Sequence, residues 1–138
     1  MPKQLDVLII DDEEIVCKRL KPSIERMGCH VETFMDPVAA LARIDEKEFD
    51  VVVSDVRMEE VDGIQILEHV QAKSAHTKVI IITGYAMMAL AREAMHKGAF
   101  DFVSKPFKPA DIRKVIGEAA AALKVPLDWQ EPVQGKDG

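Results

Sequence analysis

The sequence predicts an α/β domain: a doubly wound, five-stranded parallel sheet with helices on both faces. Short Val- and Ile-rich runs alternate five times with segments of helical period, the pattern of a sheet built from strand–helix units. Two of those runs, "DVVVS" (50–54) and "KVIIIT" (78–83), are apolar on both faces, as strands covered from both sides must be. A length of 138 residues, with 48% apolar and 30% charged residues, suits one domain around one core.

The elements follow in order. "LDVLII" (5–10) reads as a buried strand that runs directly into "DDEE". Val16, Leu20, Ile24 and Met27 then fall at helical spacing and predict a helix over 13–27. Asp12 or Glu13 suits its N-terminus, and Gly28 suits its end. Pro22 lies inside it and removes one backbone hydrogen bond, so a kink is expected there. "CHVETF" (29–34) alternates like a half-buried strand. "MDPVAALARIDEKEF" reads as a helix with Asp36 as N-cap and Pro37 as its first residue. After the strand at 50–54, "DGIQILEHVQAK" (62–73) is helical, with Ile64, Leu67 and Val70/Gln71 marking its face. The strand at 78–83 precedes a helix over 86–98 that Gly98 stops. A short strand (99–104) and a last helix (108–124) complete the pattern. The tail, 125–138, has Pro, Gly and charge but no period, and is expected to be loose or a linker, at least beyond Trp129.

The bulk numbers narrow the function. A net charge of −6 and a pI near 5.2 argue against a nucleic-acid surface. No run approaches the ~18 apolar residues of a membrane span, and the N-terminus is no signal peptide. The expected location is the cytoplasm. Cys17 and Cys29 fit no metal or redox spacing and read as reduced thiols. His30, His69, His76 and His96 share no ligand spacing and read as surface residues.

Ligands of such sheets approach the carboxyl ends of the strands, so the residues there matter most. Asp11 and Asp12 follow the first strand, Asp55 the third, Thr83 and Gly84 the fourth, Lys105 and Pro106 the fifth. An acid at a strand end is a helix cap, a metal ligand or a reacting group. Three carboxylates at one rim repel one another and need a cation or raised pKa values to coexist. A hard divalent ion such as Mg²⁺ answers that need and leaves positions for water and phosphate oxygen. A lysine and a hydroxyl opposite can hold further phosphate oxygens, and a carboxylate can itself form an acyl phosphate.

"IIDDEE", "VVSDVRM…DG", "IITGYA" and "FVSKPF" together resemble the receiver domain of two-component response regulators, over roughly residues 4–124. The motifs stand in that family's order, 44 residues from Asp11 to Asp55, 28 on to Thr83 and 22 on to Lys105. The resemblance implies the flavodoxin-like strand order 2-1-3-4-5. It implies Asp55 as phosphoacceptor, with Mg²⁺ held by Asp11, Asp12, Asp55 and the carbonyl of Arg57. It implies Lys105, Thr83 and Gly84 as the phosphate-binding and switch groups, and Phe102 as the aromatic that follows the hydroxyl. Arg57 and Tyr85 match positions that tune phosphoryl lifetime. The implied partners are a sensor histidine kinase or phosphotransfer protein and a downstream protein, or an output domain if the chain is a fragment. A homodimer through the 86–124 face is a further expectation. Glu59 stands where the family commonly has Pro, which puts the rigidity of that loop in question. "DVRM" resembles receivers attached to ATPase-type transcription activators.

Plainer readings stand beside these. Asp11 also suits an N-cap, and Phe102 suits a core position. Met87, Met88 and Met95 are either packed or part of an adaptable partner surface. Two other functions stay open: a Mg²⁺-dependent phosphohydrolase with an aspartyl nucleophile, and a receiver that binds protein without phosphate. The first would commonly carry its nucleophile on the first strand with a second acid two residues on, whereas here the first strand ends on adjacent acids.

Overall fold

The computed structural model describes residues 4–58, 60–127 and 129, and of Tyr85 the backbone only. The elements run β1 (Asp6–Ile10), α1 (Glu14–Glu25), β2 (His30–Phe34), α2 (Pro37–Glu46), β3 (Val51–Asp55), α3 (Gly63–Lys73), β4 (Lys78–Thr83), α4 (Met88–His96), β5 (Asp101–Ser104) and α5 (Pro109–Ala122). All five strands are parallel, in the order β2-β1-β3-β4-β5. This is the flavodoxin-like order that the motifs imply.

The two-residue period of the strands divides the core in two. Val7 and Ile9 of β1, with Val51 and Val53 of β3, pack against Leu20 and Ile24 of α1 and Ile112 and Ile116 of α5. Leu8 and Ile10, with Val52 and Ile81, pack against Ile44 of α2, Ile66 and Leu67 of α3 and Ala94 of α4. Every residue of β3 is buried, because it is the central strand and both of its faces are covered. Cys17 and Cys29 are buried free thiols.

The helix ends obey local chemistry. The Asp36 carboxylate accepts the Val38 N–H at 2.9 Å, and Pro37 opens α2. Asp62 and Gln65 form a reciprocal capping box on α3. Gly28 and Gly98 take φ of 92° and 106° beyond α1 and α4, a conformation that favours glycine. Helix α1 runs through Pro22 to Glu25.

Some boundaries differ from the sequence expectation. Strand β3 is 51–55 rather than 50–54, because Asp55 still pairs with Ile82 of β4. The segment expected to open a helix at 86 is a 3₁₀ turn over Tyr85–Met87 before α4 begins. Strand β5 starts at 101, since Ala99 bonds back to Ala94 of the preceding helix. The expectation of a loose tail beyond Trp129 falls outside the described residues, and the residues up to Trp129 that are described lie against the domain. Lys124 turns the chain at φ 60°, Val125 donates to the Ala120 carbonyl, and Val125, Leu127 and Trp129 lie on the α1–α5 core. The Arg113 guanidinium stands 5.7 Å from the Trp129 ring centre. Residues 130–138 lie outside the described residues.

At the sheet's other edge, Asp50 ties three elements together. Its carboxylate accepts the Asp6 N–H and pairs with His76, both at 2.8 Å, and it is 2% exposed. Removing it strands a donor at the start of β1. Asp50→Ala is expected to lower the unfolding free energy by about 2–3 kcal/mol. Urea denaturation reads this as a lower midpoint at an unchanged slope.

Candidate functional site

The carboxyl edge of the sheet gathers the acids. Asp11 directly follows β1 and is fully buried. Its Oδ1 accepts the Glu13 N–H at 2.8 Å, and its Oδ2 is buried without a hydrogen-bond partner. Asp55 ends β3 and is 7% exposed, whereas Asp12 is exposed. Asp11, Asp12 and Asp55 each offer an oxygen within 4.8 Å of the others. Lys105, which precedes a cis proline, brings its ammonium to Asp55 at 3.3 Å and Asp11 at 3.5 Å, and closest of all to Glu13.

Other predicted residues stand around this group. Thr83 is buried at the end of β4, and its hydroxyl donates to the Gly84 carbonyl at 3.0 Å. It faces its own loop rather than the carboxylates. Phe102 pairs with Ile81 across the sheet and is half-buried against the α2–α3–α4 core. The Arg57 N–H reaches Asp55 Oδ1 at 3.4 Å, while its guanidinium reaches the Met87 sulfur at 3.8 Å. Met87 packs on the same core, and Met95 is exposed. The Tyr85 side chain and Glu59 lie outside the described residues.

Burial makes these acids costly to ionise. It pushes the Asp11 carboxyl up to about 6, against the pull of the Glu13 N–H, and the Asp55 charge adds to the rise. Asp55 is also raised by burial, with the Lys105 ammonium and the Arg57 N–H opposing. Lys105 holds its proton more tightly than usual although burial opposes this. The Glu13 hydrogen bond and the charges of Asp11 and Asp55 outweigh desolvation. An oxygen-only donor set, one of whose buried oxygens is orphaned, fits a small hard cation. The site can therefore set a carboxylate nucleophile beside a divalent ion and a fixed ammonium.

Two residues escaped the sequence reading. Glu13 reads there only as an acid at a helix N-terminus, because its partner lies 92 residues away. Gly63 reads only as a helix start. A Cβ on it would stand 2.7 Å from the Asp55 carbonyl oxygen and 2.8 Å from the Val56 Cα. The motif "DG" thus needs its glycine so that α3 can approach the backbone that carries Asp55.

Together, the fold and its rim define an α/β domain with an acidic site at the strand ends. Residues 7–117 match the family model described as "response regulator receiver domain". The chain belongs to that family, whose members act in two-component systems and are generally not conventional enzymes. It is 33% identical over 123 residues to the transcriptional regulatory protein ZraR of Klebsiella oxytoca, covering 89% of this chain and 28% of that protein. It is 38% identical over 112 residues to the transcriptional regulatory protein FixJ of Azorhizobium caulinodans, covering 81% of this chain and 53% of that protein. The chain thus spans from about a quarter to half the length of such relatives. A response regulator receiver domain protein from Clostridium thermocellum superposes with a TM-score of 0.82 at 31% identity, over 87% of this chain and 97% of that one. No helix among the described residues is long and apolar enough to cross a membrane.

Two outcomes are expected. Between pH 3.8 and about 6 the folded chain holds an Asp11 proton that the unfolded chain has released, so metal-free stability falls as pH rises through that window. Asp11→Asn should flatten the fall, as read by urea denaturation at several pH values. Gly63→Ala should cost about 1–3 kcal/mol in the same assay, because the helix must back away from β3.

Proposed function

We propose that this receiver accepts a phosphoryl group on Asp55 from the phosphohistidine of a sensor histidine kinase or phosphotransfer protein, in a Mg²⁺-dependent reaction. The observation that carries the reading is a buried carboxylate at a strand end, within 4.8 Å of two further acids and 3.3 Å from an ammonium. An Asp55 oxygen attacks phosphorus, the P–N bond breaks, and its electron pair stays on the donor imidazole. Asp11, Asp12, Asp55 and the Arg57 carbonyl are the residues that would hold the Mg²⁺, which neutralises charge on the transferring group. Lys105 binds phosphoryl oxygens as charge builds there. Positioning supplies much of the catalysis, so the receiver takes part in its own phosphorylation and in the later hydrolysis.

In this reading the Thr83 hydroxyl and the loop at Gly84 turn to the new phosphate, and Phe102 moves into the space released. The face at 86–124 then shifts between two arrangements, and phosphate favours one of them. That face is the contact for a downstream protein, for an output domain of a longer regulator, or for a second copy. Arg57 and Tyr85 shield the phosphoryl group from water. The receiver occupies residues 4–124, with the tail after it, and works in the cytoplasm. The greater length of the relatives, both transcriptional regulatory proteins, supports an output beyond this domain.

Intact mass after incubation with acetyl phosphate and Mg²⁺ tests the reading. Wild type is expected to gain about 80 Da, one phosphoryl group. Asp55→Ala, or wild type with EDTA, is expected to gain nothing. A wild type that stays unmodified on fast quenching, even with a cognate phosphohistidine donor, would overturn it.

A further inference from the structure

The Lys105 ammonium has three N–H donors, and three carboxylates stand on it. Asp55 and Asp11 lie on the buried side at 3.3 and 3.5 Å, and Glu13 closes on it from the solvent side. Helix α1 does not need the Glu13 side chain, which makes no cap hydrogen bond there and is 54% exposed. The site itself fixes this residue. Its main-chain N–H is pinned to Asp11 Oδ1 at 2.8 Å while its carboxylate reaches across to Lys105. Glu14, the next residue, has the same side chain and is more exposed, yet it pairs with Lys18 on its own helix.

We propose that Glu13 is a positioning residue for Lys105, holding the ammonium at the outer rim so that the buried carboxylates stay open to the divalent cation. This deepens the proposed phosphoacceptor reading and rests on it. The conflict it resolves is visible in the contacts. After Glu13, the oxygens on Lys105 are Asp55 Oδ2 and Asp11 Oδ2, and these two belong to the acids that a metal would use. An ammonium with no other partner falls onto them and competes with the incoming ion. Glu13 offers it a partner on the far side. The same hold keeps Lys105 poised beside Asp55, ready to turn to a phosphoryl oxygen whose charge exceeds that of one carboxylate.

Mg²⁺ binding to the full, unphosphorylated chain by calorimetry tests this without any turnover. Glu13→Gln removes the charge. Glu13→Asp keeps the charge but is one methylene too short to reach. Both are expected to raise the Mg²⁺ Kd by about 3–10-fold, whereas Glu14→Gln, with the same charge change as Glu13→Gln, should shift it less than about twofold. On a Lys105→Gln background the Glu13 substitutions should lose their effect, since the competing ammonium is gone. If Lys105→Gln does not fold, the contrast among Glu13→Gln, Glu13→Asp and Glu14→Gln decides alone. Glu13→Asp binding like wild type would reduce Glu13 to a diffuse charge and overturn the proposal, as would an equal Kd in all variants. A wild type that binds no Mg²⁺ would overturn the phosphoacceptor reading itself, an outcome distinct from an unchanged Kd.

Discussion

Asp11 and Asp55 lie at the carboxyl end of a parallel sheet, 0% and 7% exposed, with a third acid beside them. Like charges at that distance, stripped of water, oppose folding. Most of the local arrangement is a response to them. The Glu13 N–H answers one oxygen of Asp11, the Arg57 N–H and Lys105 answer Asp55, and one oxygen of Asp11 is left without a hydrogen bond. The Lys105 ammonium stands 3.5 Å from that oxygen, so the negative charge at the rim is only partly compensated. A site of this kind gains from any ligand that supplies positive charge, which is the physical ground for a cation and for catalysis by fixed electrostatics.

The sheet is what makes such a site affordable. β3 is buried along its whole length and paired on both sides, in register with β1 and β4. Apolar layers cover both faces. Asp50 clamps the opposite edge through Asp6 and His76. The scaffold can therefore hold a destabilising group in one place, and Gly63 lets α3 close against the backbone of Asp55. Strain is carried by the charges and stability by the layers behind them.

Much of this was legible in the sequence because it depends on local pattern. Short Val- and Ile-rich runs located the strands, with alternation marking only 29–34; Asp36–Pro37 located the start of α2, and Gly28 and Gly98 two helix ends. The acids were legible because a strand followed at once by Asp11 and Asp12 delivers them to one edge. Contacts that join distant segments were not. Glu13 meets Lys105 across 92 residues, and no spacing encodes that. The contacts of Val125, Leu127 and Trp129 with the α1–α5 core are of the same kind, since these residues show no period of their own. The 3₁₀ turn over Tyr85–Met87 stands where the helix expected over 86–98 would begin.

The account stands on one atom, a carboxylate oxygen of Asp55, becoming the bridge to phosphorus. Borohydride reduction locates it directly. The protein, exposed to acetyl phosphate and Mg²⁺, is treated with sodium borohydride, which reduces an acyl phosphate to an alcohol. Peptide mass mapping is then expected to find homoserine in place of aspartate at position 55, with Asp11 and Asp12 intact. Conversion at Asp11 or Asp12 instead, or phosphorylated protein with no conversion at 55, would contradict the account.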